Sequence, residues 1–308
     1  MKSIVRKVCY TFFGVLAVIP TTTFASISSL DLGDYTLTGS YALPTGPASE
    51  ASAVTWNWTT DTLFVLGDEG DALVEVSKTG MQLSSMTLTG FDDTEGLTYI
   101  GGGQFVLTEE RLRNAYLLTY MAGTTAARST LPMADLGATV GNIGIEGISY
   151  DPLDGSFMTV KETTEQEVNR NAITFGGSSV VTSLFTPSLG VTDLSDVQVL
   201  STVTSLLGTP DEDNLLLLSQ ESSKLLEVSR AGAILSHLNL GTLGLPDSTE
   251  GVTIDREGIV YLVAEEGIDG GSTLYTLSPA PVPLPGAVVL LGSALAGLAG
   301  VARRRKNS

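Results

Sequence analysis

The sequence predicts an all-β chain built as a five-bladed β-propeller, with six blades as the alternative reading. Three observations predict it. First, one short phrase recurs five times: Ser52–Trp56 (SAVTW), Asp93–Ile100 (DTEGLTYI), Glu146–Tyr150 (EGISY), Ser195–Val199 (SDVQV) and Glu250–Ile254 (EGVTI). Its starts at Ser52, Glu95, Glu146, Ser195 and Glu250 lie 43, 51, 49 and 55 residues apart. A period near 50 in strand-rich sequence marks a propeller. Second, the stretches between starts are short and rich in β-branched residues, and they show no 3.6-residue apolar period. Third, the last repeat is one strand short, while a spare strand precedes the first repeat.

Taken in order, residues 1–25 read as a secretory signal peptide. Lys2, Arg6 and Lys7 form its basic start, Val8 to Ile19 its apolar run, and Thr23-Phe24-Ala25 the cleavage site. The only cysteine, Cys9, lies inside it, so the exported chain has no thiol. Disulfides, thiolate metal sites and cysteine catalysis are thereby excluded.

The propeller domain is expected over residues 35–280. Tyr35–Leu43 (YTLTGSYAL) is the spare strand. Unit one gives strands at Ser52–Asn57, Thr62–Gly67, Ala72–Ser77 and Gln82–Leu88. Unit two gives Glu95–Ile100, Gln104–Thr108, Ala115–Tyr120 and a weaker strand near Ser129. Unit three gives Glu146–Tyr150, Ser156–Val160, Ala172–Phe175 and Val180–Phe185. Unit four gives Ser195–Leu200, Asn214–Ser219, Lys224–Ser229 and Ala233–Leu240. Unit five stops after Glu250–Ile254, Ile259–Ala264 and Thr273–Leu277. The spare N-terminal strand is expected to complete it, which closes the ring without an open edge. Met121–Gly144 and Pro187–Leu194 read as blade-to-blade crossovers.

Residues 281–308 form a separate object. A stiff linker, Pro281-Val282-Pro283-Leu284-Pro285-Gly286, leads into the apolar run Ala287–Ala302, and Arg303-Arg304-Arg305-Lys306 follows. This predicts a C-terminal transmembrane helix with the basic cluster inside and the blades outside.

Between the two terminal segments lie nine basic residues and all 34 acids, a net charge of −25. Such a body repels nucleic acid, whose binding needs phosphate neutralisation by Lys and Arg. It attracts cations and cationic partners.

The acids are patterned. Glu95, Glu146 and Glu250 open their repeats, with Ser52 and Ser195 in the other two. A second acidic mark ends the second strand of every unit: Asp68-Glu69, Glu109-Glu110, Lys161-Glu162, Gln220-Glu221 and Glu265-Glu266. Strands one and two are antiparallel neighbours, so both marks fall at the same end of a blade. Glu95, Glu146 and Glu250, with Ser52 and Ser195, are expected to form an inner ring. Glu69, Glu110, Glu162, Glu221 and Glu266 are expected to form a second ring outside it.

Crowded carboxylates must take up protons, pair with Arg or Lys, or bind a cation. Arg111 and Lys161 are adjacent and could neutralise two. Oxygen-only ligands point to calcium. The alternative is that these glutamates cap backbone N–H groups. The single histidine, His237, sits in an alternating strand, and one histidine supports neither a zinc cluster nor most Ser-His triads. No catalytic residue is assigned.

The tail resembles the PEP-CTERM class of sorting signals in its VPLPA variant, carried by Val282-Pro283-Leu284-Pro285 with Gly286 in place of the final Ala. The resemblance implies an exosortase-type transpeptidase as partner, a Gram-negative source, and transfer to the outer surface or extracellular matrix. The body resembles the SdiA-regulated, YjiK-like propeller family over Ser52 to Leu277. That likeness rests on Asp93–Arg111 (DTEGLTYIGGGQFVLTEER), Gly144–Pro152 (GIEGISYDP), Leu215–Ser222 (LLLLSQES) and Thr249–Asp255 (TEGVTID). It implies a propeller and, in some members, a link to calcium. Ala53 and Asp196 depart from the pattern, where the repeat otherwise has Gly. A looser resemblance to phytase-like esterase propellers implies a metal-dependent phosphoesterase as the rival to a calcium-binding interaction module.

Overall fold

A computed structural model describes residues 30–139, 141, 143–177 and 179–280. The expected signal peptide and the expected C-terminal sorting segment with its transmembrane helix lie outside the described residues. Among the described residues, no helix is long and apolar enough to cross a membrane.

Five sheets, antiparallel but for one short added strand, make five blades. The chain opens with β1 (Tyr35–Ala42). Blade one contains β2 (Ala51–Asn57), β3 (Thr62–Gly67), β4 (Ala72–Val76) and β5 (Gln82–Thr89). Next come β6 (Thr94–Gly101), β7 (Gln104–Glu109), β8 (Asn114–Thr119), β9 (Thr125–Ala127) and β10 (Met133–Asp135). Blade three contains β11 (Ile145–Asp151), β12 (Ser156–Lys161), β13 (Glu167–Ala172) and β14 (Val180–Phe185). Blade four contains β15 (Asp196–Val199), β16 (Leu215–Ser219), β17 (Lys224–Val228) and β18 (Ile234–Asn239). The last strands are β19 (Thr249–Ile254), β20 (Val260–Ala264) and β21 (Thr273–Pro279). In blade five, β1 lies antiparallel to β21, from Tyr35 opposite Pro279 to Ala42 opposite Thr273.

Two expectations about strands need correction. The single strand expected near Ser129 is instead a 3-10 turn, Arg128–Thr130, between two short strands. Of these, β9 returns to blade one and runs parallel to β5, while β10 completes blade two against β8. Arg128 holds this crossover: its guanidinium donates to the fully buried Glu109 carboxylate at 2.7 Å. The third strand of blade three is Glu167–Ala172, not Ala172–Phe175. Its polar composition hides it, because the buried Asn171 spends its amide on Phe157 O at 3.2 Å and Thr159 Oγ1 at 2.9 Å. With its NH2 donors satisfied in this way, the side chain can occupy a core position.

Each blade is sandwiched between two others, so its inner strands are apolar on both faces. In β16, Leu216 and Leu218 pack towards blade five, while Leu215 and Leu217 pack towards blade three. All four are fully buried. A continuous apolar run, rather than alternation, follows from this. Leu217→Ala should therefore cost about 3 kcal/mol, through lost transfer energy and the cavity left behind. Urea denaturation checks this; a loss under about 1 kcal/mol would mean the blade interface collapses around the gap.

A polar belt ties the innermost strands together. Tyr99 N donates to Thr55 Oγ1, Tyr150 N to Thr98 Oγ1, and Val199 N to Ser149 Oγ, at 3.2, 2.9 and 3.0 Å. Trp56 N donates to Thr253 Oγ1 at 3.1 Å, and Thr253 Oγ1 donates to Gln198 Oε1 at 3.0 Å. These side chains stand three residues after each repeat start. Every blade thus hydrogen-bonds to the next around the axis.

A candidate metal centre at the acidic mouth

The repeat starts are shaped by a backbone device. Ser52, Glu95, Glu146 and Glu250 are each the extra residue of a β-bulge, where the pairing shifts between Ala51 and Ala53, Thr94 and Gly96, Ile145 and Gly147, and Thr249 and Gly251. A bulge leaves one residue unpaired and re-aims its side chain. The glycine that follows serves close packing. A Cβ on Gly96 would strike Thr108 Oγ1, and one on Gly251 would lie 2.7 Å from Ser52 O.

The same end of the axis holds a cavity of about 190 Å³. Its lining is Glu95, Glu110, Glu146, Glu162, Asp193, Ser195, Gln220, Glu250 and Glu265. Seven of these nine are acidic and none is basic. The predicted inner ring of Glu95, Glu146 and Glu250 is present, with Ser195 beside it. Glu110 and Glu162 of the predicted outer ring are present too.

Glu69, Glu221 and Glu266 do not line this cavity; all three are exposed. Strand register explains why. The second-strand partners of the residue before each bulge are Gly67, Glu109, Lys161 and Ala264. The residues that follow these partners are Asp68, Glu110, Glu162 and Glu265, and Gln220 is the counterpart in blade four. The predicted frame was one residue late in units one, four and five. Glu69 lies instead with Glu50 and Asp68 in a separate acidic group. Ser52 turns to the neighbouring blade, where its hydroxyl donates to Thr94 O at 3.0 Å.

The carboxyl groups crowd one another. Glu110, Glu146 and Glu162 offer oxygens that all lie within 4.8 Å of one another. Burial, then a hydrogen bond with Glu110 and the charge of Glu95, holds the Glu146 carboxyl well above its ordinary range. Burial and Glu250 do the same to Glu95. Burial, then the charge of Glu265, pushes Glu250 up to about 8. Asp93 is pushed up to about 6 by burial and by its hydrogen bond with Glu110. Burial with neighbouring acids also raises Asp68, Glu162 and Glu265. At neutral pH this mouth keeps protons that exposed carboxyls would release.

Of the two basic residues expected to neutralise it, Arg111 reaches Asp93 at its edge and Lys161 is engaged elsewhere. Arg111 pairs with Asp93 at 3.0 Å and Asp92 at 3.7 Å. Lys161 is buried and donates to the carbonyls of Thr163, Thr164 and Glu165 at 2.6, 3.0 and 2.9 Å. Backbone capping occurs alongside: Gly144 N donates to Glu110 Oε1 at 2.9 Å.

Asp193 escaped the sequence reading, and the contacts of Gln220, Ser195 and Asp196 were not legible in it. Asp193 is buried and accepts from Ser219 Oγ, and from the Gln220 and Glu221 amides at 2.9 and 3.2 Å. This fixes the turn that carries Gln220, whose Nε2 donates to Glu250 Oε1 at 2.6 Å. Ser195 Oγ is buried and meets no hydrogen-bond partner among the described residues. Asp196, where the repeat otherwise has Gly, is buried below the mouth and accepts from the Val197 and Val252 amides, each at 2.7 Å. It joins blade four to blade five, and burial raises its carboxyl well above the usual range. His237 is exposed on β18, far in role from any acid–base pair.

The donor set suits a hard cation. Oxygens 2.3–2.6 Å from a common centre lie at most about 5 Å apart, and the Glu110, Glu146 and Glu162 oxygens meet that condition.

Fold and site together define a five-bladed propeller with a carboxyl-lined axial mouth. The chain belongs to the SdiA-regulated family, whose sequence model matches residues 29–268. In structure it is similar to the glutaminyl cyclase of Myxococcus xanthus, with a TM-score of 0.52 and 10% identity over 81% of this chain and 97% of that one. It also matches a virginiamycin B lyase from Staphylococcus aureus, with a TM-score of 0.42 and 13% identity over 77% of this chain and 69% of that one. At such identities the first likeness shows the fold alone, and the second carries no argument.

Proposed function

We propose that this protein binds calcium in the acidic mouth and acts as an exported, cation-dependent binding module at the cell surface or in the extracellular matrix. One observation carries the reading: three carboxyl groups converge within 4.8 Å in a cavity with no basic lining residue. Glu110 comes from blade two, while Glu146 and Glu162 come from blade three. A calcium ion held by them would cross-link the two blades and replace the protons that now relieve their repulsion. Glu95 of blade two and Glu250 of blade five face the same cavity. Phosphate-ester hydrolysis is the rival reading, but the mouth lacks the cationic side chains that would hold a phosphate.

Calorimetric titration tests the site. Calcium added to the metal-stripped protein should give a saturable heat that fails to appear with Glu110→Gln. Binding displaces protons, so affinity should rise with pH, about tenfold per unit for each proton released. The rise should extend to about pH 8, where Glu250 titrates. Heat no greater than dilution at pH 8 would overturn the assignment.

Export and display rest on the sequence of the two terminal segments. An exosortase-type enzyme would act near Val282-Pro283-Leu284-Pro285, and the apolar run would hold the chain in the inner membrane until then. Deleting Leu284–Ser308 should convert a surface-retained protein into one released to the medium. Fractionation and immunoblotting read this out. Unchanged retention would mean that the blades themselves bind the envelope.

A further inference from the structure

The opposite end of the axis carries a second recess of different chemistry. In four of the five blades the residue four places after the repeat start lines it: Trp56, Tyr99 and Tyr150 from blades one to three, and Ile254 from blade five. Both tryptophans of the chain, Trp56 and Trp58, line it. Trp58 meets Tyr99 edge-on, with ring centroids 4.5 Å apart. Trp56 and Tyr99 are buried, whereas Trp58, Tyr150, Gln198 and Thr202 are half-buried and reach solvent. None of the lining residues is charged.

The polar belt makes its floor. Thr55, Thr98 and Thr253 each accept a backbone N–H from the next blade. A hydroxyl that accepts still has its own proton to donate. Thr253 gives its proton to Gln198 Oε1. Those of Thr55 and Thr98 meet no acceptor among the described residues. The space above them is about 10 Å³, room for one water-sized group.

We propose that this recess binds a neutral saccharide. One sugar hydroxyl enters the water-sized space and accepts from the threonine floor, while the ring lies over Trp58 and Tyr150. The chemistry selects this class. An apolar ligand would leave the hydroxyl floor unpaired, which costs the desolvation of those groups. An anion would find no cation in the lining, since Arg256 beside it is held on the Trp56 ring and by Trp58 O at 2.8 Å, and a cation would find no carboxylate there. Aromatic rings beside a few placed polar groups suit a ligand with both an apolar face and hydroxyls. The inference does not depend on calcium at the acidic mouth.

The experiment uses the full chain, with glucose, galactose, N-acetylglucosamine and their β-linked disaccharides as probes. Each is titrated to about 50 mM, because a shallow site gives affinities of order 1 mM. Calorimetry and tryptophan emission are read in calcium and in chelator. At least one sugar should saturate, with the same affinity in both conditions. Trp58→Ala and Thr98→Val should each weaken it at least tenfold, while Glu146→Gln leaves it unchanged. Melting curves confirm that the variants fold, and Tyr150→Phe serves as a milder second probe of the rim. No saturable signal from any sugar would overturn the proposal and leave a single bound water in the recess. So would equal binding by Trp58→Ala and Thr98→Val, or a response to indole or benzoate without one to sugars.

Discussion

Calcium at about 100 times its dissociation constant should stabilise the folded protein by about 2.7 kcal/mol, and Glu146→Gln should remove most of that gain. For a chain of this size the shift in melting temperature is about 5–10 °C. The amide keeps the size of Glu146 and can still donate to Glu110, as the protonated acid does, but it cannot become a charged ligand. In chelator the variant should therefore match the native protein near neutral pH, and exceed it in alkali.

The sign follows from linkage. Glu250 is pushed up to about 8, and Glu95 and Glu146 lie well above their ordinary range. The folded state then binds more protons than the unfolded one between the ordinary carboxyl pKa, about 4.3, and the raised values. Metal-free stability is fullest below that window and falls as pH climbs through it. Calcium should flatten the slope, since the affinity gained with each released proton offsets the stability lost. Melting curves of both proteins in calcium and in chelator, from pH 5 to pH 9, decide the matter. Equal losses for Glu146→Gln in the two conditions would sink the metal site and leave glutamates that only cap backbone groups.

Removing β1 should be the most damaging change to the fold. A chain that begins at Ala48 loses the antiparallel partner of β21 from Tyr35 to Ala42. It also loses Leu30, Leu32 and Tyr35, all buried in a cluster shared with blades four and five. The Tyr35 hydroxyl donates to Gly258 O at 2.8 Å. Three such side chains contribute about 5 kcal/mol or more, comparable with the whole net stability of a domain. The bare edge of β21 would be free to pair with another chain. We expect oligomers in size-exclusion chromatography and a much lower melting point. A monomer with unchanged melting would mean that β1 does not close the ring.

The repeat phrase was readable because it answers to geometry. Its Glu-Gly pair is a bulge followed by a residue that touches the next strand, and both needs fall on the same two positions in blades two, three and five. The departures were readable as departures but not as contacts. Asp196 gave no sign that it would reach the Val252 amide, because that partner lies 56 residues away.

The sequence by itself determined the repeat, the propeller architecture with five blades preferred over six, and the acidic character of one end. These depend on local period and composition, which neighbouring residues carry. Only the tertiary structure decided which carboxyl of each acidic pair faces the axis, since that depends on strand register and a one-residue slip turns a side chain to the other face. That slip put Glu69, Glu221 and Glu266 outside and brought Gln220 and Glu265 in. It also decided that β9 joins blade one and β10 blade two, because a buried ion pair between Arg128 and Glu109 fixes the crossover. Contacts between residues distant in the chain have no period to read, and the chemistry of this mouth is made of such contacts.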